Sequence, residues 1–263
     1  MIDKNQGEIR YEIKNKIGIA TISRPGRLNA LSRKMLEELK SIVDSIDSWE
    51  QIRVLVIRGE GTDALAAGAD LKVLASLDSS GAREISIYAQ KILVGIESIP
   101  IPVISAVDGF ALGGGLEISL ACDLILASAG AKLGLPETNL GIIPGWGGSI
   151  RLPRRVGIGR AREMIFSGRT VDAQEALDMG LVDAVYPAES FEEEVMSYAA
   201  SLAEKSPVSM ALAKSTVLRG MDASLEAGLA LEREAFAYCF SLPDAREGIT
   251  AFLEKRSPRF SDD

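Results

Sequence analysis

Within the first sixty residues the apolar positions run through three different spacings. Ile9, Tyr11 and Ile13 alternate with polar residues, and Ile17, Ile19 and Ile22 follow across the Asn15-Lys16 break, which predicts a β-hairpin. Ser32 then precedes Met35, Leu36, Leu39, Ile42, Val43 and Ile46, a helical stripe with a capping hydroxyl, expected to run to about Ser48. Val54-Leu55-Val56-Ile57 is apolar without interruption, the pattern of a strand covered on both faces. The small-residue loop Ala66-Ala67-Gly68-Ala69-Asp70 leads into helical sequence reaching Ser98, with a break near Ser79-Ser80-Gly81. Pro100 and Pro102 fence off a further buried strand, Val103 to Val107. Gly113-Gly114-Gly115, a short helix and the strand Asp123 to Ala127 come next, so strand, loop, helix and strand recur as in βαβ units. From Gly148 onward helices dominate, with one more strand at Leu181 to Val185 and a wholly helical end. The expected organisation is a repeated ββα core over residues 1–188 and a helical extension over 189–263.

Composition narrows the chemistry. Hydrophobic residues make up 47% and charged residues 25% of 263, the balance of a chain with a sizeable core. A formal charge of −8 argues against nucleic acid or an anionic membrane as partner. The segment Met1 to Gln6 lacks the apolar core of a secretory signal, and no apolar run approaches the ~18 residues of a membrane span. Cys122 and Cys239 are far apart, without metal or redox spacing, which suits a reducing cytoplasm. Histidine is absent, so His-based triads, general bases and metal ligands are excluded, and acid–base work falls to other side chains.

Two carboxylates stand out. Glu117 is the only charged residue in Ala111-Leu112-Gly113-Gly114-Gly115-Leu116-Glu117-Ile118-Ser119-Leu120-Ala121-Cys122. Burial there would raise its pKa toward neutrality, although a structural salt bridge is the alternative. Each glycine opening a helix costs roughly 0.5–1 kcal/mol against alanine, so three together need a reason. Close backbone approach to a ligand is one, with the Gly114 N–H donating to a developing oxyanion; a tight strand-to-helix turn is another. Glu137, in Gly134-Leu135-Pro136-Glu137-Thr138, lies twenty residues on, too far for the same helix face but within reach through a strand and return loop. The loop 66–70 offers a second amide beside small side chains, and Asp70 reads chiefly as a helix cap.

Taken together, Ala67-Gly68-Ala69-Asp70, Gly113-Gly114-Gly115 with Glu117, Pro136-Glu137 and Ile143-Pro144-Gly145-Trp146-Gly147-Gly148 resemble the enoyl-CoA hydratase/isomerase (crotonase) family. Arg24-Pro25 with Leu28-Asn29-Ala30-Leu31, and Ala251-Phe252-Leu253-Glu254-Lys255-Arg256, extend the likeness to both ends. The resemblance implies an α/β fold, a repeated ββα spiral core with a helical C-terminal trimerisation region, assembled as a homotrimer or a hexamer of two trimers. It implies an acyl-CoA substrate, with coenzyme A carried on the substrate and no metal or separate cofactor. It casts the amides of Ala69 and Gly114 as the oxyanion hole and Glu117 and Glu137 as the hydrating pair. Leu28, Ala67, Gly68, Asp70, Gly145, Trp146, Phe252 and Lys255 fall at its substrate-binding positions. The family's basic residue after the N-terminal proline is Gly26 here, with Arg27 one place later. Reversible hydration of 2-enoyl-CoA is the expectation; double-bond isomerisation, or a non-catalytic nucleic-acid-binding or scaffolding role, are the alternatives.

Overall fold

A computed structural model describes residues 6–261. The stretch Met1–Asn5, on which most of the reading of the N-terminus rests, lies outside the described residues, as do positions 262–263. Strands β1 (Glu8–Lys14) and β2 (Ile17–Ser23) form the expected antiparallel hairpin. Its two-residue turn sets Asn15 and Lys16 at φ 50° and 62°, the left-handed pair that matches strand twist in the tightest hairpins. Ser32 caps α1 (Arg33–Asp44), its hydroxyl accepting from the Met35 N–H at 3.3 Å. The helix stops short of Ser48 because the Ser45 hydroxyl donates to the Ile42 carbonyl at 2.7 Å and closes the last turn, leaving Ile46 buried beyond it.

After α1 the chain twice forms a strand pair and then helix. Strand β3 (Val54–Gly59) is followed by β4 (Ala64–Ala66), α2 (Leu71–Leu74) and α3 (Ser79–Ser98). Strand β5 (Val103–Val107) is followed by β6 (Phe110–Leu112) and α4 (Gly114–Ala121), and the third pair is β7 (Leu124–Ser128) with β8 (Lys132–Gly134). The first strand of each pair enters a six-stranded sheet, in which β10 (Ala184–Tyr186) also lies, with order β1-β2-β3-β5-β7-β10. The second strand of each pair enters a four-stranded sheet, completed by β9 (Thr170–Asp172), with order β4-β6-β8-β9. A 3-10 turn (Pro136–Leu140), α5 (Gly148–Val156), α6 (Ile158–Ser167) and α7 (Ala173–Asp178) complete the core. The chain closes with α8 (Phe191–Ala203), α9 (Pro207–Met221), α10 (Leu225–Cys239) and α11 (Pro243–Leu253). Residues 254–261 leave the helix and fold back, with the Asp244 carboxylate accepting from the Ser261 N–H at 3.0 Å.

The continuous apolar strands divide their side chains between two cores, as alternation across a sheet requires. Leu55 and Ile57 of β3 join the main core with α1, α3 and α4, whereas Val54 and Val56 face the other way. Phe191, Val195 and Ala199 of α8 cover that outer face together with Ile104 and Leu126. The break between α2 and α3 falls at residues 75–78, with Asp78 capping α3 through the Gly81 N–H.

Candidate active site

The small sheet brings two loops together. The Ala67 N–H donates to the Leu28 carbonyl at 2.9 Å, the Leu31 N–H to the Gly68 carbonyl at 2.8 Å and the Asp70 N–H to the Leu31 carbonyl at 3.0 Å, so segments 28–31 and 67–70 run side by side. Leu31 pairs in parallel with Ala69 through the residues flanking it, which turns the Ala69 N–H away from Leu31. Asp70 caps α2 through the Lys72 N–H at 3.0 Å and also pairs with the shielded Arg24 guanidinium at 2.7 Å. That hydrogen bond holds the Asp70 carboxyl below the usual carboxylate range. Arg24 in turn reaches the Ala30 carbonyl at 3.0 Å, and the Asn29 amide group holds the Ala64 carbonyl at 2.7 Å.

Each glycine at the start of α4 has a separate steric reason. Gly113 sits at φ 51°, and a Cβ there would stand 2.9 Å from Oε1 of Glu137. At Gly114 a Cβ would meet the Trp146 ring at 2.5 Å, and at Gly115 it would strike the Ala66 carbonyl oxygen at 2.1 Å. Gly68, at φ 91°, lies against the same turn, its would-be Cβ 3.4 Å from the Leu112 oxygen and 3.9 Å from the Gly114 nitrogen. Gly114 opens the helix, where the first N–H groups have no intrahelical acceptor. Among the described residues neither the Gly114 nor the Ala69 N–H has a hydrogen-bond acceptor.

Glu117 comes one turn into α4 and is 2% exposed. Its Oε1 accepts from the Trp146 N–H at 2.7 Å and the Gly148 N–H at 2.8 Å. Burial raises its pKa, and those two amides and the Arg151 charge oppose the shift by favouring the carboxylate. Glu137 lies on the 3-10 turn, packed beside Gly113. Its pKa is pushed up to about 7, first by burial and then by the charge of Glu117. Its Oε2 is buried without a hydrogen-bond partner among the described residues. The turn that carries it is fixed from α6: the Thr138 hydroxyl donates to the Ile165 carbonyl at 2.7 Å and the Asn139 amide to the Gly168 carbonyl at 3.0 Å.

Ala67, Gly68, Ala69, Gly114, Glu117 and Glu137 follow the carboxyl ends of the parallel strands β4, β6 and β8, and Trp146 packs against Gly114 beside them. The Gly145 carbonyl is tied to α3 by Ser86 and by Gln90, the latter at 2.9 Å. Trp146 is 5% exposed and packs on Gly114. Phe252 and Lys255 take no part in this network: they stand exposed at and just beyond the end of α11. Arg151 and Glu97 stand beside Glu117's amide donors and carry no local sequence signal, since Arg151 meets Glu97 across 54 positions.

A buried carboxylate held by amides and a second carboxyl with its pKa raised to about 7, on a two-sheet ββα spiral in a chain without histidine, form a setting suited to acid–base chemistry. The enoyl-CoA hydratase/isomerase family model matches residues 12–263, and the chain belongs to that family. It is 39% identical over 252 residues to crotonyl-CoA hydratase of Syntrophomonas wolfei, covering 96% of this chain and 97% of that one. It is 40% identical over 265 residues to the mitochondrial methylglutaconyl-CoA hydratase of Mus musculus, covering 98% and 84%. The crystal structure of enoyl-CoA hydratase from Bacillus anthracis superposes with a TM-score of 0.93 at 39% identity, covering 97% of this chain and 99% of that one. The fold expected from the sequence is thus the fold observed.

Proposed function

We propose that this protein catalyses the reversible addition of water across the 2,3 double bond of 2-enoyl-CoA thioesters. The observation that carries the reading is the asymmetry of the two carboxyls. Glu117 has two amide donors and a nearby guanidinium, which favour its ionised form. Glu137 has an oxygen without a partner among the described residues and a pKa pushed up to about 7, so a large share of it carries a proton at neutral pH. Glu117 accepts a proton from water as the oxygen attacks the β-carbon, and Glu137 delivers the α-proton; dehydration reverses both transfers. The free amides of Ala69 and Gly114 receive the thioester oxygen as it gains enolate character. Their support is geometric: two N–H groups without acceptors among the described residues, on loops close enough that a Cβ at Gly68 would lie 3.9 Å from the Gly114 nitrogen.

Leu28, Ala67, Gly68 and Asp70 shape the substrate side of the first loop, and Gly145 and Trp146 that of the second. Coenzyme A enters as part of the substrate, with no further cofactor. The exposed apolar surface of α9 and α10, where Met221, Leu225 and Phe236 are each more than 60% exposed, is the surface for assembly into a trimer or a dimer of trimers. Phe252 and Lys255, exposed at the end of α11, reach coenzyme A bound by a neighbouring subunit. No helix among the described residues is long and apolar enough to cross a membrane, and the proposed setting is the cytoplasm. The relatives named act on both a straight and a branched acyl group at nearly equal identity, so the acyl group is to be fixed by assay.

The test is hydration of crotonyl-CoA, followed by loss of conjugated thioester absorbance, in wild type, Glu117→Gln and Glu137→Gln. Each substitution is expected to lower kcat by about 10²- to 10⁴-fold with coenzyme A binding retained. Turnover unchanged in either variant, or none in wild type across a series of enoyl chain lengths, overturns the reading. Conversion of 3-enoyl-CoA in that second case would point to the isomerase alternative.

A further inference from the structure

The amides that hold Glu117 belong to a loop that needs holding itself. Trp146 donates its N–H to Glu117 and offers its carbonyl in the opposite direction, where Nη1 of Arg151 donates to it at 3.1 Å. The remaining edge of that guanidinium makes two parallel bonds to Glu97, Nε to Oε1 and Nη2 to Oε2, both at 2.7 Å. Both side chains are shielded, 13% and 24% exposed. Gly147, at φ 118°, leaves the space the guanidinium fills: a Cβ there would lie 2.0 Å from Nη1. Helix α3 thus supplies Ser86 and Gln90 to the Gly145 carbonyl and Glu97, through Arg151, to the Trp146 carbonyl. With both carbonyls turned outward to α3, the amides of Trp146 and Gly148 point inward at one carboxylate oxygen.

We propose that Arg151, clamped by Glu97, is a positioning residue that sets the Trp146 and Gly148 amides against Glu117. The inference rests on Glu117 being the residue that handles the attacking water. Arginine is required because a forked, planar cation is needed to engage a carboxylate with one edge and a carbonyl with another; lysine supplies the charge without the fork. The charged groups around Glu117 are few. Arg151 comes from α5, Glu97 stands behind it on α3, and Glu137 faces it from the 3-10 turn. The strands β4, β5, β6 and β7 packed against α4 carry no charged side chain, and the other charged residues of α3, Arg83, Glu84 and Lys91, are exposed.

Arg151→Lys and Glu97→Gln are the variants to compare with wild type, in the full-length protein. For Arg151→Lys, kcat for crotonyl-CoA hydration is expected to fall about 10- to 100-fold with KM little changed, the cost of a small misplacement at the reacting centre. The acid limb of its pH profile is expected to move upward, because the ionised form of Glu117 loses well-aimed donors. Glu97→Gln, which keeps one hydrogen bond to Arg151, is expected to show a smaller shift in the same direction. A wild-type kcat and pH profile in both variants, with only a lowered Tm, would make the clamp merely structural and overturn the proposal. The ionisation of Glu117, followed directly by carbon-13 NMR of labelled glutamate, separates the two ideas. An upward shift in Arg151→Lys supports positioning even if no enoyl-CoA is hydrated, whereas an unmoved titration refutes it even if hydration is confirmed.

Discussion

Glu117 and Glu137 show how one side-chain type is placed in two different environments: the first is held by two amides, and the second has a buried oxygen without a partner among the described residues. Burial raises both, and the charge of Glu117 raises Glu137 further, so under the proposed scheme they are treated as a coupled pair whose hydration-competent form holds one proton between them. The form competent for dehydration also holds one, moved to the other partner. The overall reaction releases no proton, so kcat/KM should trace the same bell-shaped profile in both directions, with a basic limb near pH 7 where the shared proton is lost. Profiles that differ between hydration and dehydration would contradict the two-carboxyl scheme. The same raised pKa has a cost in the fold. Glu137 binds its proton more tightly folded than unfolded, so its contribution to stability falls as pH rises from about 4.5 to about 7 and is level above.

Among the elements, α4 is the most constrained. All eight of its residues are buried, and its first turn admits no side chain at three successive positions. The clashes at Gly114 and Gly115 differ in kind. At Gly115 the obstacle is the backbone oxygen of Ala66, whereas at Gly114 it is the Trp146 ring, which can tilt. Gly115→Ala is therefore expected to cost stability heavily, by about 3 kcal/mol or more, seen as a large drop in Tm or no soluble protein. Gly114→Ala should fold and lose mainly kcat. Equal stabilities for the two would show that the small sheet yields more easily than its geometry suggests. These elements also mark how far the sequence could be read. The long apolar strands and α1 were legible because their apolar patterns persist over most of an element. Strands β4, β6, β8 and β9 were not, since three residues carry no measurable alternation. Glu117 and the glycine turn could be picked out in the chain itself, as an isolated charge in an apolar run and a cluster of costly residues, whereas Glu137 stood out only through the family resemblance. Arg151 and Glu97 could not, because only the folded chain reveals that an ordinary arginine and an ordinary glutamate are partners.

At the scale of the molecule, a deeply placed cation is among the contacts that join the helical end to the core. Lys214 of α9 is 8% exposed, and its ammonium donates to the carbonyls of Ile96 and Ile101 and pairs with Asp123 at 2.8 Å. Asp123 also accepts from the Val103 N–H, so this single contact joins α9, the end of α3 and the edge of β5. Lys214→Met is expected to destabilise the protein by about 3 kcal/mol, the lower part of the range for breaking a buried pair, because Asp123 keeps a third of its side chain in water. Denaturant unfolding measures it, and a loss under about 1 kcal/mol would show the pair to be dispensable.

The raised pKa of the Glu137 carboxyl has a consequence beyond its own chemistry. The chain contains no histidine, and the Cys122 thiol is pushed far out of the neutral range by burial. In most proteins, imidazoles dominate the protons exchanged with solvent between about pH 6 and 8. Here no imidazole contributes to that window, and the Glu137 carboxyl lies within it. A proton gained or lost when a ligand settles beside the two carboxyls would therefore not be masked by imidazoles.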